Sequence, residues 1–242
     1  MIDRFITFGS HEQFMHGADA LAEQARTSGW FETAVVETPE TLANTAPELW
    51  RVNEKFILTN PRGYGYWLWK PIMILSHLNN MNDGDILCYA DAGCTITPDD
   101  KKSAYLLEIL NFIDSDNFIV TGWANHRAQY VKRDLLLHFN IKHKQNKRQR
   151  AATSIIVMKN DQSCKFISEW IDIGMMNDYH FIDDSPSVAE EFPEFIEHRH
   201  DQAILDLLCD RYEIEYNQKY QTQGVINFSR TTPTWRGDKG YV

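Results

Sequence analysis

No stretch of this 242-residue sequence approaches the roughly 18 consecutive apolar residues of a membrane-spanning helix. The start, MIDRFITFGSHEQF, lacks a long apolar region followed by a small-residue cleavage site, so no signal peptide is expected. Positive charge is in short supply. Lys and Arg number 24 against 34 Asp and Glu, a net charge of −10. Nucleic-acid binding needs a basic footprint for phosphate contacts, so that class is excluded as a default. A small phosphorylated ligand needs only a few local cations and stays open. Cysteine is scarce, and Cys88, Cys94, Cys164 and Cys209 form no CxxC. Free thiols in a reducing compartment are expected rather than zinc or disulfides, which makes the cytoplasm the default location. GxGxxG, GxxxxGKS or GxxxxGKT, and GxSxG are all absent, which removes support for dinucleotide-binding, P-loop and α/β-hydrolase readings.

The composition is that of an ordinary globular chain, with 43% hydrophobic and 24% charged residues. Aromatics are plentiful, including 7 Trp, and their faces suit sugar rings as well as cores. Strand and helix patterns alternate almost throughout. Strands are expected at Arg4–Phe8, Thr33–Glu37, Phe56–Thr59, Asp85–Ala90, Phe118–Thr121, Ser154–Met158 and Glu213–Tyr216. Helices are expected at His11–Ser28, from Thr38-Pro39, and at Tyr66–Met81, Asp99–Ile113, Ala128–Phe139, Asp161–Met176 and Arg199–Tyr212. This predicts an α/β fold with a mostly parallel, Rossmann-like central sheet flanked by helices on both faces. No Pro- or Ser-rich linker divides the chain, so one domain over residues 1–242 is expected. The tail 229–242 (SRTTPTWRGDKGYV) reads as a mobile segment or lid.

In such sheets ligands sit beyond the carboxyl ends of the strands. That singles out Gly9-Ser10, Thr38, Asp91 and Lys159-Asn160. In DGDILCYADAGCTI a buried strand delivers Asp91, followed by the small Ala92 and Gly93. Asp91 is either a ligand for a divalent cation or an Asx cap of the next turn. In RHDQAILDLLC, Asp201 and Gln202 open an amphipathic helix. They favour its positive N-terminus, or they meet substrate hydroxyls, with Asp201 as a base and His198 and His200 as further metal ligands. In PRGYGYWLWKP, Arg62 and Lys70 bracket four aromatics and two glycines. The two cations suit phosphate, while the plain alternative is a core stripe with Lys70 snorkelling to water. The run IKHKQNKRQR (141–150) reads as a solvated loop, with a contact to an anionic acceptor or a membrane surface as the alternative.

Three of these segments, Gly65–Pro71, Asp83–Cys94 and His198–Gln202, together resemble the GT-A class of nucleotide-sugar glycosyltransferases. They are most similar to a group of small bacterial and viral proteins with a "GYWLWKP … DGDILLYLDAGC … HRHDQ" pattern, distantly related to glycogenin-like enzymes. The resemblance implies a GT-A-like sheet and transfer of a sugar from a nucleotide-diphospho-sugar, UDP first among the nucleotides, to a glycan or other hydroxyl acceptor. It implies donor contacts from Phe8, Gly9, Ser10, Thr38, Arg62, Lys70, Asp91 and Ala92. It implies Mn2+ or Mg2+ held by Asp91 with His200, and Asp201 and Gln202 as the catalytic pair. The string Asp91-Ala92-Gly93 lacks the second carboxylate of the DxD motif of that class. Two other readings remain open: a nucleotidyltransferase or sugar-phosphate enzyme, and a non-catalytic carbohydrate-binding protein on a decayed transferase fold.

Overall fold

The computed structural model describes residues 1–114, 117–215 and 217–228, so the expected C-terminal lid lies outside the described residues. Five strands form the central sheet: β1 (Ile2–Phe8), β2 (Phe31–Glu37), β3 (Ile86–Ala90), β5 (Ile119–His126) and β6 (Arg148–Met158), in the order β2-β1-β3-β6-β5. A short pair, β4 (Cys94–Ile96) with β7 (Ile226–Phe228), lies apart from it. β1 pairs in parallel with β2 and β3, and β6 is antiparallel to both β3 and β5. Four of the five strands therefore run one way, as a mostly parallel sheet requires, and β6 is the exception. That reversal sends Lys159-Asn160, expected with the other strand ends at the ligand-binding edge, to the opposite edge of the sheet, since Met158 pairs with Ile86 at the start of β3. It also matters for function. Ala90, the last residue of β3, pairs with Ser154, so the first half of β6 extends past the carboxyl end of β3 into the ligand-binding region.

Helices cover both faces, as expected. On one face α1 (Glu12–Thr27) and α6 (Asp100–Phe112) cover Phe5, Cys88, Val120 and Ile156; Leu21 and Ala25 supply the buried stripe of α1. On the other, α5 (Trp69–Leu78), α9 (Asp161–Tyr179) and α10 (His200–Arg211) cover Ile6, Leu87, Tyr89, Ile155 and Val157. Each fully buried aliphatic side chain contributes roughly 1.5–3 kcal/mol of transfer free energy, so this face, the larger of the two cores, anchors the elements that carry the site. Local chemistry sets several starts. Thr38 and Pro39 open α2 (Pro39–Thr45) with a capping box to Thr41, and Asn160 caps α9 through Ser163. The four cysteines are free. Among the described residues no helix is long and apolar enough to cross a membrane.

Some elements differ from expectation. Phe56–Thr59, rich in residues that suit strands, is the last turn of α3 (Pro47–Thr59), whose Trp50, Asn53 and Ile57 form one buried helical stripe. The helix expected over 128–139 is two short ones, α7 (Arg127–Tyr130) and α8 (Arg133–His138). They are parted at the extended Val131, which is buried beside Leu135 and Leu136 in the core. The chain after α10 turns at Glu213, which has φ +56°, instead of forming a strand at once. The basic run is solvated over Lys142–Asn146, but its last three residues begin β6, and Gln149 and Arg150 are buried.

The helix expected from Tyr66 begins only at Trp69. Before it, Gly63, Tyr64, Gly65, Tyr66 and Trp67 all have positive φ, in one left-handed turn labelled α4 (Gly63–Tyr66). Tyr66 N–H donates to Arg62 O (2.8 Å) and Trp67 N–H to Gly63 O (3.1 Å). Left-handed backbone costs about 1–2 kcal/mol for each residue other than glycine. Long-range contacts offset it. The Trp69 indole N–H donates to Gly63 O at 2.9 Å, and Gly65 passes so close to Ile57 that a Cβ there would lie 2.6 Å from the Ile57 Cα.

Candidate functional site

β3 ends at Ala90, and the turn that follows is closed by the main chain, Cys94 N–H donating to Asp91 O at 2.9 Å. Asp91 N–H in turn donates to Thr153 O of β6 at 2.8 Å. The Asp91 carboxylate is therefore not spent on an Asx cap. Its Oδ1 accepts the Tyr89 hydroxyl and lies 3.4 Å from the Lys70 ammonium. Lys70 sits in the first turn of α5 and is turned inward, its side chain only 3% exposed. The ammonium meets Asp201 Oδ2 at 2.7 Å and donates to Ala152 O at 3.1 Å. The Tyr89 ring lies 5.3 Å from it. Asp201 stands in the first turn of α10, and the Trp170 indole N–H donates to its main-chain oxygen at 3.0 Å. One ammonium thus joins a carboxylate from the end of a strand, a carboxylate from the start of a helix, and a carbonyl from the reversed strand.

Accessibility separates the two acids. The Asp91 side chain is 35% exposed and the Asp201 side chain 6%. Burial pushes the Asp201 pKa up to about 6, against the pull of Lys70. Burial also works against the Lys70 ammonium, but Asp201 and Asp91 overcome it and hold its pKa above the ordinary lysine value. The proton stays on Lys70, and Asp201 is the group that takes one up on acidification.

The other expected residues fall into separate neighbourhoods. Gln202 adjoins the triad in sequence and donates to Gln149 Oε1 at 2.9 Å. Arg62 forms a fork, with one nitrogen on Asp184 (2.9 Å) and another on Glu197 (2.8 Å). His200 has φ +45° and lies against the rings of Tyr66 and Trp67. Its Nδ1 is 2.7 Å from Ile182 O, and its Nε2 is 3.7 Å from Asp184. His198 is held between Phe181 O and the Lys132 N–H. Burial keeps both imidazoles neutral, pushing His198 down to about 3 and His200 well below its usual value. Phe8 is stacked on Trp69 with centroids 3.9 Å apart. Gly9 N–H donates to Glu37 O, and a Cβ there would strike Met15. Ser10 is half-buried at the end of that turn, Ala92 is buried, and Thr38 is engaged in capping α2.

The geometry does not fit a metal held by the protein. Among the described residues no group of three His, Cys, Asp or Glu is arranged to hold one. Asp91 Oδ1 already has two partners, and Lys70 fills the space between the two carboxylates. Sequence reasoning missed Tyr89 and Ala152. Tyr89 had a signal, since two residues apart on an extended strand places it on the same face as Asp91. Ala152 had none, because its contribution is a main-chain oxygen.

No family model matches the chain, and no curated protein matches it. Solved structures are similar to it over most of its length. The mouse xyloside xylosyltransferase 1 structure is 10% identical, with 88% of this chain and 83% of that one covered and a TM-score of 0.47. The bifunctional glycosyltransferase WbbM is 11% identical, with 86% of this chain covered and a TM-score of 0.48; the match spans only 37% of WbbM. The galactosyltransferase LgtC, in complex with donor and acceptor sugar analogues, is 12% identical, with 97% of this chain and 90% of that one covered and a TM-score of 0.42.

Proposed function

We propose that the protein is a glycosyltransferase that moves a sugar from a nucleotide-diphospho-sugar to a hydroxyl of a glycan or other acceptor, with UDP the first nucleotide to test. One observation carries this reading. The three segments on which the sequence resemblance rests are far apart in the chain, yet each sends one charged side chain to the same point: Lys70, Asp91 and Asp201. That point lies at the carboxyl end of β3, where α/β sheets bind ligands. Backbone strain adjoins it twice, at Tyr64–Trp67 just before Lys70 and at His200 just before Asp201, and strain of this kind concentrates at functional sites.

In the reaction the bond between the anomeric carbon and the diphosphate oxygen breaks, and a bond to the acceptor oxygen forms. The nucleoside diphosphate leaves with the bonding electron pair, and the proton of the acceptor hydroxyl passes to a carboxylate base, for which the exposed Asp91 is placed. Asp91 is the carboxylate that a substrate meets. Asp201 lies behind it and acts through Lys70, fixing the ammonium and with it the orientation of Asp91. Gln202, half-buried beside this pair, is the residue to contact a sugar hydroxyl. Phe8, Gly9, Ser10 and Thr38 form the far end of the donor site at the carboxyl ends of β1 and β2, and Arg62 is the further cation for its phosphates.

The test is calorimetric titration of UDP, GDP, CMP and TDP into the protein, followed by product analysis with the matching nucleotide-sugar. Binding of one nucleoside diphosphate and its release from the sugar donor are expected. Release of pyrophosphate would replace this reading with a nucleotidyltransferase. Sugar binding with no nucleotide binding would replace it with a carbohydrate-binding protein.

A further inference from the structure

We infer that the Lys70 ammonium is the resident cation of this site, standing between Asp91 and Asp201 where a divalent metal would otherwise join them, so that the protein alone binds no metal ion there. The inference rests on the proposed transferase function for the identity of the site, though not for the placement of the charge.

Three features support it. First, three oxygens surround the nitrogen. Lys70 donates to Ala152 O at 3.1 Å and forms ion pairs with Asp201 Oδ2 at 2.7 Å and Asp91 Oδ1 at 3.4 Å. Two carboxylates and a carbonyl are the hard donors that Mg2+ also selects, but that ion needs them near 2.0–2.1 Å in octahedral array. The observed lengths are those of one hydrogen bond and two ion pairs. Second, Lys70 is locked. It belongs to the first turn of a helix buried along most of its length, and the rings of Trp69 and Tyr89 lie 6.0 and 5.3 Å from its nitrogen. A metal entering between the carboxylates would have to displace a buried ammonium or share its oxygens against like charge. Third, the two residues after Asp91 are Ala92 and Gly93, which offer no further side-chain oxygen, and Ala92 is buried.

Removing the ammonium should expose a metal site that the native protein lacks. Mn2+ alone is titrated into the native protein and into Lys70→Ala. No saturable binding is expected for the native protein, and a single site for the variant, whose melting temperature then rises with Mn2+. In parallel, UDP, GDP, CMP and TDP are titrated into the native protein with EDTA and with Mn2+, and binding of one of them in either condition keeps the transferase reading. Saturable binding of Mn2+ alone by the native protein overturns the inference while leaving the transferase reading in place. A folded Lys70→Ala that gains no Mn2+ site also overturns it. If no nucleotide binds under either condition, the transferase reading fails, and the Mn2+ titrations alone decide the role of Lys70. If Lys70→Ala does not fold, the Mn2+ titration of the native protein decides.

Discussion

Helix α10 carries two clusters of buried charge, one at each end, and their balance is opposite. At its start, Asp201 shares a single ammonium with Asp91, so two carboxylates face one cation. Further along, Asp206 and Asp210 face three: Arg127 at 2.8 Å from each, Arg150, and Lys147. Asp206 also accepts the Arg150 main-chain N–H at 3.0 Å. Burial raises the pKa of Asp206, with Arg127 opposing it. For Asp210 the cations outweigh burial, and its pKa is lowered. The second cluster has more neutralising charge than it needs, and it ties α7 and the start of β6 to α10. The first has less, and one of its members opens to solvent. An over-neutralised cluster suits a structural joint, while an under-neutralised one retains the capacity to take up a proton from a substrate.

The largest effect that could break this contrast is on stability. Asp206→Ala leaves two buried guanidinium groups short of a partner and should cost about 3–5 kcal/mol in denaturant unfolding. A cost below 1 kcal/mol would mean that the second cluster is not a joint. Next comes Asp91→Asn, which should leave stability nearly unchanged yet lower turnover of a nucleotide-sugar by roughly 10²-fold or more. Equal damage to stability and turnover would erase the distinction between the two clusters.

The third effect is on pH dependence. The Asp201 pKa in the fold, about 6, lies above its unfolded value, so the folded state binds a proton first as pH falls. This contribution therefore makes the protein more stable as pH drops from above 6 toward 4, by at most roughly 1.4 kcal/mol per pH unit. Asp210 has the opposite sign. Its contribution is present above the unfolded carboxylate pKa and is lost as pH falls through its lowered folded value. Denaturant midpoints measured over that range should show the Asp201 slope in the native protein and not in Asp201→Asn. The smallest effect is that of Lys147→Ala at the partly exposed rim of the second cluster, expected to cost under about 1 kcal/mol and to shrink further in high salt.

The sequence made the sheet readable where strands are short, apolar and bounded by turns, as at DILCYA, and made a helix start readable where its signal is local, as at Thr38-Pro39. Three of the segments singled out in the sequence do come together, through Lys70, Asp91 and Asp201. The sequence did not reveal how they meet. Lys70 has the pattern of a lysine that could snorkel, and its inward turn is decided by Asp201, far along the chain and on another helix. The left-handed turn before it was equally hidden, since nothing in Tyr, Tyr and Trp favours positive φ. It is held by Ile57 against Gly65 and by His200 between the rings of Tyr66 and Trp67. FILT reads as a strand because its residues favour one; the stripe that begins at Trp50 outweighs that preference. The reversal of β6 is a matter of topology, which period-two patterning does not encode.

Two of the contacts that set the site end on main-chain oxygens of that reversed strand, Lys70 on Ala152 and Asp91 on Thr153. Every residue type offers the same carbonyl, so drift at position 153, whose side chain is half-buried, changes the surface without erasing a ligand of the site. Deletion of a single residue there is another matter. It shifts every later pairing of β6 by one and turns its inward side chains outward. Across a library of variants the strand should tolerate substitution and reject indels, the reverse of what surface loops tolerate.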